Sequence, residues 1–436
     1  MIFSGWGRFP KSEGLRRVIR GRDDAPSLIA ADTGLIARGN GRSYGDASLG
    51  LSGIIDMRRL DRLRDFDPAT GRITCEAGLM LADLLAFAVP RGFFPPVTPG
   101  TKFVTIGGMI ASDVHGKNHH GAGSFGRHIE CLELLTADGL VRRCSPVEQP
   151  ELFWATCGGM GLTGVILSAS FRLIRIETSL IRQETLAAAN LDEAIELFEA
   201  SSGWTYTVAW IDCLARGDRL GRSLLYRGEH ATRAETANAP LVVPERRRRR
   251  VPIDLPSWSL NRWSVAAFNA LYYRRAKLGT SLIDYDSYFY PLDALLEWNR
   301  IYGRAGFVQY QCVLPKATSR TGLEELLGRI AASGRASFLA VLKLFGPGDA
   351  GFLSFPMEGY TLALDFPADS GTFSLLRRLD LIVTSHGGRI YLTKDACSGA
   401  ALLREGYPRL DQFRAARAAV DPHGKFASLL SKRLDL

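Results

Sequence analysis

Three glycine-rich runs hold the residues best able to do chemistry. The first reads Arg38-Gly39-Asn40-Gly41-Arg42-Ser43-Tyr44-Gly45-Asp46, the second extends from Pro99 to Gly126, and the third from Gly158 to Gly164. Closely spaced glycines let successive backbone N–H groups turn into one concavity, which is how a main chain cradles a diphosphate. The first run has glycines at 39, 41 and 45, which is not the G-x-G-x-x-G spacing. No amphipathic helical pattern opens directly after it, so a Rossmann dinucleotide site fits poorly. The second run adds hydroxyl and amide donors at a density that suits a large, flat, phosphorylated cofactor lying against the chain.

His115, His119 and His120 invite a metal reading, since histidines four apart share a helical face. The surrounding glycines argue against a helix there, and no Glu stands between them as a hydrolytic base. That leaves a structural role, or one facing a cofactor or substrate, and no metal is expected. The seven cysteines are scattered without a C-x-x-C pair and read as reduced thiols, which speaks against a zinc ribbon, an iron–sulfur cluster or a disulfide framework. Five consecutive arginines at 246–250, with Pro244, Pro252 and Pro256 around them, read as an extended loop. Such a loop is either solvated or in contact with anionic lipid, a phosphorylated substrate or nucleic acid. The basic stripe interleaved with aromatics that marks an RNA or single-stranded DNA binder is not visible, so nucleic acid is not an expected partner.

The elements that must position these residues follow from composition and pattern. The chain has 436 residues, 46% hydrophobic and 23% charged, with a formal charge of +9. This describes a globular protein of two or three domains and excludes a disordered chain or one small binding module. No stretch reads as a membrane span, and the N-terminus shows no basic region followed by an apolar run, so cytoplasmic residence is expected. Up to about residue 165, short apolar runs broken by glycine predict strands feeding loops, with a helix over 79–89. Beyond about 178 the pattern lengthens and predicts helices over 191–201 and 321–333 and strands over 204–213 and 307–314. Gln309 and Gln311 alternate along the last of these and therefore share a face. A strand over 387–392 and a helix over 400–420 close the chain.

Seven motifs occur in order across nearly the whole sequence: Gly5-Trp6-Gly7-Arg8, Gly41-Arg42-Ser43-Tyr44-Gly45-Asp46, Ser112-Asp113-Val114-His115-Gly116-Lys117-Asn118-His119-His120, Phe153-Trp154-Ala155-Thr156, Glu297-Trp298-Asn299-Arg300, Lys343-Leu344-Phe345-Gly346-Pro347 and Phe426-Ala427-Ser428. Together they resemble the decaprenylphosphoryl-β-D-ribose 2′-oxidase family, FAD enzymes of the vanillyl-alcohol-oxidase superfamily. The resemblance implies an α+β, two-domain PCMH-type FAD-binding fold. Residues 1–178 and 389–436 would form the FAD-binding domain. A substrate domain built on an antiparallel sheet, 179–388, would be inserted between them, with a mobile loop near 244–258. FAD contacts are implied for Gly39, Asn40, Gly41, Arg42, Ser43, Tyr44, Gly100, Thr101, Thr105, Gly107, Gly108, Ser112, His115, Gly116, Asn118, His119 and Tyr391, with Gly121, Ala122, Gly164 and Val165 packing the remaining cofactor surface. His115 stands where some relatives in the superfamily attach FAD covalently, whereas the named family holds it non-covalently, and non-covalent FAD is expected.

The reaction so implied is oxidation of the ribose 2′-hydroxyl of a polyprenyl-phosphoryl-β-D-ribose to the 2′-keto sugar. A separate NAD(P)H-dependent reductase would then form the arabinose epimer for cell-wall or glycan synthesis. Lys394 matches the family's lysine beside flavin and substrate, while Lys394, Lys117 and His115 all stay open as the group that accepts the hydroxyl proton. Tyr44, Trp210, Phe289, Gln309, Gln311, Lys343 and Thr361 match the substrate side. Mycobacterial members carry a cysteine where this chain has Ala363 and an asparagine where it has Thr361, so a covalent inhibitor that needs the thiol is expected to fail here. In Tyr288-Phe289-Tyr290 the expected tyrosine is shifted by one place. A long prenyl tail implies peripheral contact with an anionic membrane, at the inner face, through the arginine run with Trp258 and Trp263. The alternative on the same fold is an oxidase of a free sugar, polyol or aldonolactone. Outside that fold stand a zinc hydrolase and a flavin-free binder of polyanions.

Overall fold

Glycine sets the grain of the first third of the chain. Several strands there are short, with Gly39, Gly53 and Gly71 at or beside their ends, where no side chain is present to pack. Five form an antiparallel sheet in the order Val141–Cys144, Ile129–Leu135, Val165–Arg172, Arg72–Glu76, Leu63–Asp67. Three more, Leu15–Val18, Gly53–Asp56 and Leu35–Arg38, lie parallel in a smaller sheet. The helix expected over 79–89 runs Leu81–Ala88 and then tightens into a 3-10 turn at Val89–Arg91, where Pro90 cannot donate to an α-helical bond. The computed structural model describes residues 1–30, 32–236, 240–242, 246–256, 259–335 and 337–436, so Pro244 and Trp258 of the expected loop lie outside the described residues.

After residue 179 the chain builds an eight-stranded antiparallel sheet, ordered Gly279–Asp284, Leu180–Ala188, Ser223–His230, Tyr206–Ile211, Ala340–Phe345, Gly359–Pro367, Phe307–Pro315, Arg389–Ile390. Alternation sorts its faces. Val308, Tyr310, Cys312 and Leu314, with Leu342, Leu344, Leu362 and Leu364, pack under the helices Leu191–Ala200, Ser319–Ser333 and Ser370–Ser385 in one core. Gln309, Gln311, Val341, Lys343 and Ala363 therefore face the other way, into a cavity shared with the glycine loops. The two halves also share a core in which Phe94, Phe125 and Phe171 meet Tyr206, Tyr285 and Phe289. The last segment returns to the first half, where Phe426 bridges Leu35 and Ser428 bridges Gly50.

Three local expectations need correction. The 400–420 pattern forms two helices, Ala400–Gly406 and Leu410–Val420, because Pro408 restricts Tyr407 and cannot continue the helical bonding. A single helical turn, His119–Ala122, forms at the histidine cluster despite its glycines, since four residues suffice when the flanking loops are packed. The 387–392 strand shrinks to Arg389–Ile390, after which the chain turns and Lys394 N donates to Tyr391 O at 3.0 Å. At the end of the arginine run, Arg249–Arg250 forms a short strand that pairs in parallel with Leu295–Leu296. Among the described residues no helix is long and apolar enough to cross a membrane.

Candidate active site

Between the glycine loops and the open face of the large sheet lies a cavity of about 550 Å³. One wall is main chain. Gly41 takes φ +64°, and a Cβ there would come 2.3 Å from Arg38 Nη2, so only glycine lets the loop fold over that guanidinium. Arg38 in turn fixes the loop, donating to Ser48 Oγ at 3.0 Å and to Ser4 O at 2.6 Å. Asn40 Nδ2 donates to Phe103 O at 2.9 Å, which ties the first glycine run to the second. Thr101 Oγ1 donates to Asp293 Oδ1 at 2.7 Å, tying the second run to the sheet half.

The other wall is made of side chains. Gln311 Nε2 lies 3.0 Å from His115 Nε2, and the imidazole sits among Phe345, Phe355 and Tyr391. Burial drives the His115 pKa well below its usual value, with the Lys343 charge adding to the effect. The ring is therefore neutral, and its Nε2 accepts the Gln311 proton. Lys394 Nζ stands 3.8 Å from the centre of the Tyr44 ring. Desolvation brings its pKa down to about 7 against the opposing pull of Asp365. The same cause lowers Lys117 to about 7 and Lys343 to about 8. Lys117 donates to Tyr288 O and lies 4.0 Å from the centre of that ring. An amine with a pKa near 7 is substantially free base at neutral pH and can take up a proton.

Asp365 carries no sequence signal of its own. It is fully buried opposite Gln309, its Oδ1 accepts from Gln309 Nε2 at 2.5 Å, and its Oδ2 has no hydrogen-bond partner among the described residues. Burial pushes its pKa up to about 7. Gln309 also meets the Tyr44 hydroxyl, so Asp365, Gln309, Tyr44 and Lys394 form one linked set. Only strand pairing exposes this, because the two strand residues are 56 positions apart.

A second group missed by motif reading holds the two walls in register. Arg433 donates to Asp46 Oδ1 and Oδ2 at 2.8 and 3.0 Å and to Asp395 Oδ2 at 2.8 Å. Asp46 closes the first glycine loop, and Asp395 follows Lys394. The two segments touch directly: Tyr44 N donates to Thr393 O at 3.1 Å, and a Cβ on Gly45 would come 1.7 Å from Asp395 O.

Most of the expected residues line this cavity. From the loops come Gly39 to Tyr44, Gly100, Thr101, Thr105, Gly107, Gly108, Ser112, His115, Gly116, Lys117 and Gly164. From the other side come Trp210, Phe289, Gln309, Gln311, Lys343, Tyr391 and Lys394. Six expected residues lie behind the wall instead. Asn118 Nδ2 donates to Pro96 O at 2.8 Å, and His119 lies 3.4 Å from Asp349 with its ring against Phe345. Gly121 and Ala122 end the helical turn, and Val165 is buried in a core of the first half. Thr361 is buried under Gln311, whose Nε2 reaches its Oγ1 at 3.2 Å. The third histidine, His120, points its Nε2 at Trp204 O, 2.7 Å away. Tyr288 and Phe289 face the cavity, while the Tyr290 hydroxyl meets Thr98 Oγ1 at 2.5 Å, so the shifted aromatic run keeps one tyrosine at the wall. Among the described residues, no group of three His, Cys, Asp or Glu side chains gathers to hold a metal ion.

A backbone wall facing a polar wall suits a flat, phosphorylated cofactor. A Cβ on Gly39 would fall 2.1 Å from Thr105 Oγ1, so the loop must stay bare to pack there, and His115 Nδ1 is buried with no partner among the described residues. The FAD binding domain family matches residues 29–145, the stretch that supplies most of the backbone wall. Over 412 residues the chain is 40% identical to the decaprenylphosphoryl-beta-D-ribose oxidase of Mycolicibacterium smegmatis, covering 92% of this chain and 89% of that one. It is 38% identical over 381 residues to an uncharacterised protein of Streptomyces coelicolor, covering 82% of this chain and 100% of the other. An L-gulonolactone oxidase of Bos taurus matches at 30% identity over 36% of this chain and 35% of its own.

Proposed function

The chain belongs to the decaprenylphosphoryl-β-D-ribose oxidase family, and from that premise we propose that it oxidises the 2′-hydroxyl of a polyprenyl-phosphoryl-β-D-ribose to the 2′-keto sugar. It is an FAD-dependent oxidoreductase. Residues 1–178 and 389–436 hold FAD without a covalent link, and 179–388 present the sugar. FAD supplies the acceptor for the hydride that leaves C2′. Lys394, as free base, takes the hydroxyl proton, so the alcohol loses one hydride and one proton in becoming the ketone. Gln309 and Tyr44, backed by Asp365, position the Lys394 amine. Gln311 and neutral His115 orient the sugar. Lys343, with its pKa lowered only to about 8, stays mostly protonated at neutral pH and adds positive potential where negative charge develops on the substrate oxygen, and Lys117, near 7, contributes less.

The observation that carries this reading is the convergence of Lys117, Lys343 and Lys394, three of only nine lysines, on the same cavity that the glycine loops line. The test is the visible spectrum of the anaerobic holoprotein before and after adding a short-chain polyprenyl-phosphoryl-β-D-ribose, followed by acid precipitation. Bleaching, with yellow colour released to the supernatant, is expected. Colour that persists with this substrate but bleaches with a free aldonolactone or polyol overturns the substrate assignment.

The prenyl substrate resides in a bilayer, and the protein meets it peripherally through the arginine run and the exposed Ile253 and Trp263. Replacing the five arginines with serine is expected to abolish sedimentation with anionic vesicles; unchanged binding removes the arginine run from this role. An NAD(P)H-dependent keto-reductase consumes the product.

A further inference from the structure

The open face of the large sheet does not end at the redox cavity. In register, Val208 opposes Tyr226, Tyr226 opposes Thr185, and Thr185 opposes Gly279, so the row that starts at the cavity wall continues outward over three more strands. The helix Arg262–Arg275 lies across this outer part and encloses a second hollow of about 670 Å³. The two hollows meet at a neck. Gln183, Tyr226 and Tyr272 line both, the Tyr226 and Tyr272 hydroxyls are 2.9 Å apart, and Trp210 packs on the Tyr272 ring from the cavity side.

This helix is a lightly held cover. Of its 14 residues only Val265 and Asn269 are buried, the latter donating to Asp212 Oδ1 at 2.7 Å. Around the hollow, Phe268 and Leu271 stay 43% and 49% exposed, and Leu278 in the connector that follows is 60% exposed. Apolar side chains left in contact with water around a hollow mark a site for an apolar occupant. Arg275 and Lys277 stand at its rim, where they would meet anionic head groups.

We propose that the isoprenoid chain of the substrate leaves the redox cavity at the Tyr226–Tyr272 neck and lies in this groove, between the helix Arg262–Arg275 and the outer strands. The inference rests on the lipid-linked substrate reading and deepens it. The sugar and its phosphate stay inside. The chain needs an outlet that borders the cavity, offers apolar side chains and opens to the surface; the groove adjoins the cavity at Gln183, Tyr226 and Tyr272, and carries Phe268, Leu271 and Leu278, which are exposed to solvent.

The experiment compares anaerobic flavin bleaching by two phosphoryl-riboses, one carrying a long prenyl chain in detergent and one carrying a single isoprene unit. Leu278→Glu, in the exposed connector, and Leu271→Glu, on the helix, are each measured against the unaltered holoprotein. Both substitutions are expected to raise KM for the long-chain substrate about tenfold or more while leaving the short-chain substrate within about twofold. Equal loss on both substrates, or no loss on the long one, overturns the groove assignment. Leu278→Glu guards against a helix that fails to fold. If the unaltered protein is bleached by neither substrate, the 2′-oxidase reading itself falls, which is a separate result from a chain-length effect that fails to appear.

Discussion

The two walls of the cavity are built by opposite means. The loop wall is backbone: Gly39 and Gly41 matter for what they lack, and their neighbours Arg38 and Asn40 serve to pin the main chain. The sheet wall is side chains whose direction is set by strand alternation, with Gln309, Gln311 and Lys343 inward and Tyr310, Cys312 and Leu344 in the helical core. The contrast teaches a division of labour. Backbone fixes where a cofactor lies, because peptide geometry hardly varies. Side chains tune the chemistry, because burial and neighbouring charge can shift their proton affinities.

That division predicts that damage to each wall has a distinct signature. The largest effect is expected from Lys394→Ala, which should retain yellow colour yet slow substrate-driven bleaching by about 10²- to 10⁴-fold in stopped-flow. In the unaltered protein the same rate should rise as pH climbs through about 7, since the accepting amine must be uncharged and burial has lowered its pKa to that range. A flat profile removes Lys394 as the proton acceptor. On the other wall, Gly41→Val forces a β-branched residue to positive φ and against Arg38, so FAD affinity measured by fluorescence quenching should fall about 10- to 100-fold. A variant that binds FAD normally breaks the comparison.

A smaller effect is expected of Asp365→Asn. FAD binding should be unchanged, kcat should fall about tenfold, and the pH midpoint should move down, because the substitution removes a charge that raises the Lys394 pKa while Lys343 continues to lower it. Tyr44, Tyr302 and Gln309 also face Asp365, so Gln309→Glu, which places a second carboxylate beside it, serves as the control and should move the midpoint up. A kcat loss without movement of the midpoint would make Asp365 a purely structural residue. The smallest effect is expected at Ala363, which lines the cavity: Ala363→Cys should leave turnover within about twofold while restoring covalent capture by a thiol-reactive inhibitor, read by intact-protein mass.

The sequence showed the first wall more fully than the second. Glycine where φ is positive or space is absent leaves a mark that needs no partner to interpret, and the alternation of Gln309 and Gln311 also survives translation into structure. Asp365 and Arg433 leave no such mark, because each acquires meaning only through a residue far along the chain. The helix break at Pro408 was readable locally, but the apolar pattern on both sides masked it. Asn118 and His119 sit inside a motif yet turn away from the cavity, since a motif records what a segment needs in order to fold as well as what it presents.

Arg433 also has a bearing on time. It bonds to Asp46 across 387 residues, so the cradle and the Lys394 turn are both synthesised before the residue that locks them together exists. Contacts of such long range form late, after the local elements are in place. The lock between the cradle and the Lys394 turn therefore closes only once the helix Leu429–Leu434 has docked. A protease that removes only that helix would undo the lock while leaving every residue of the cavity in the chain.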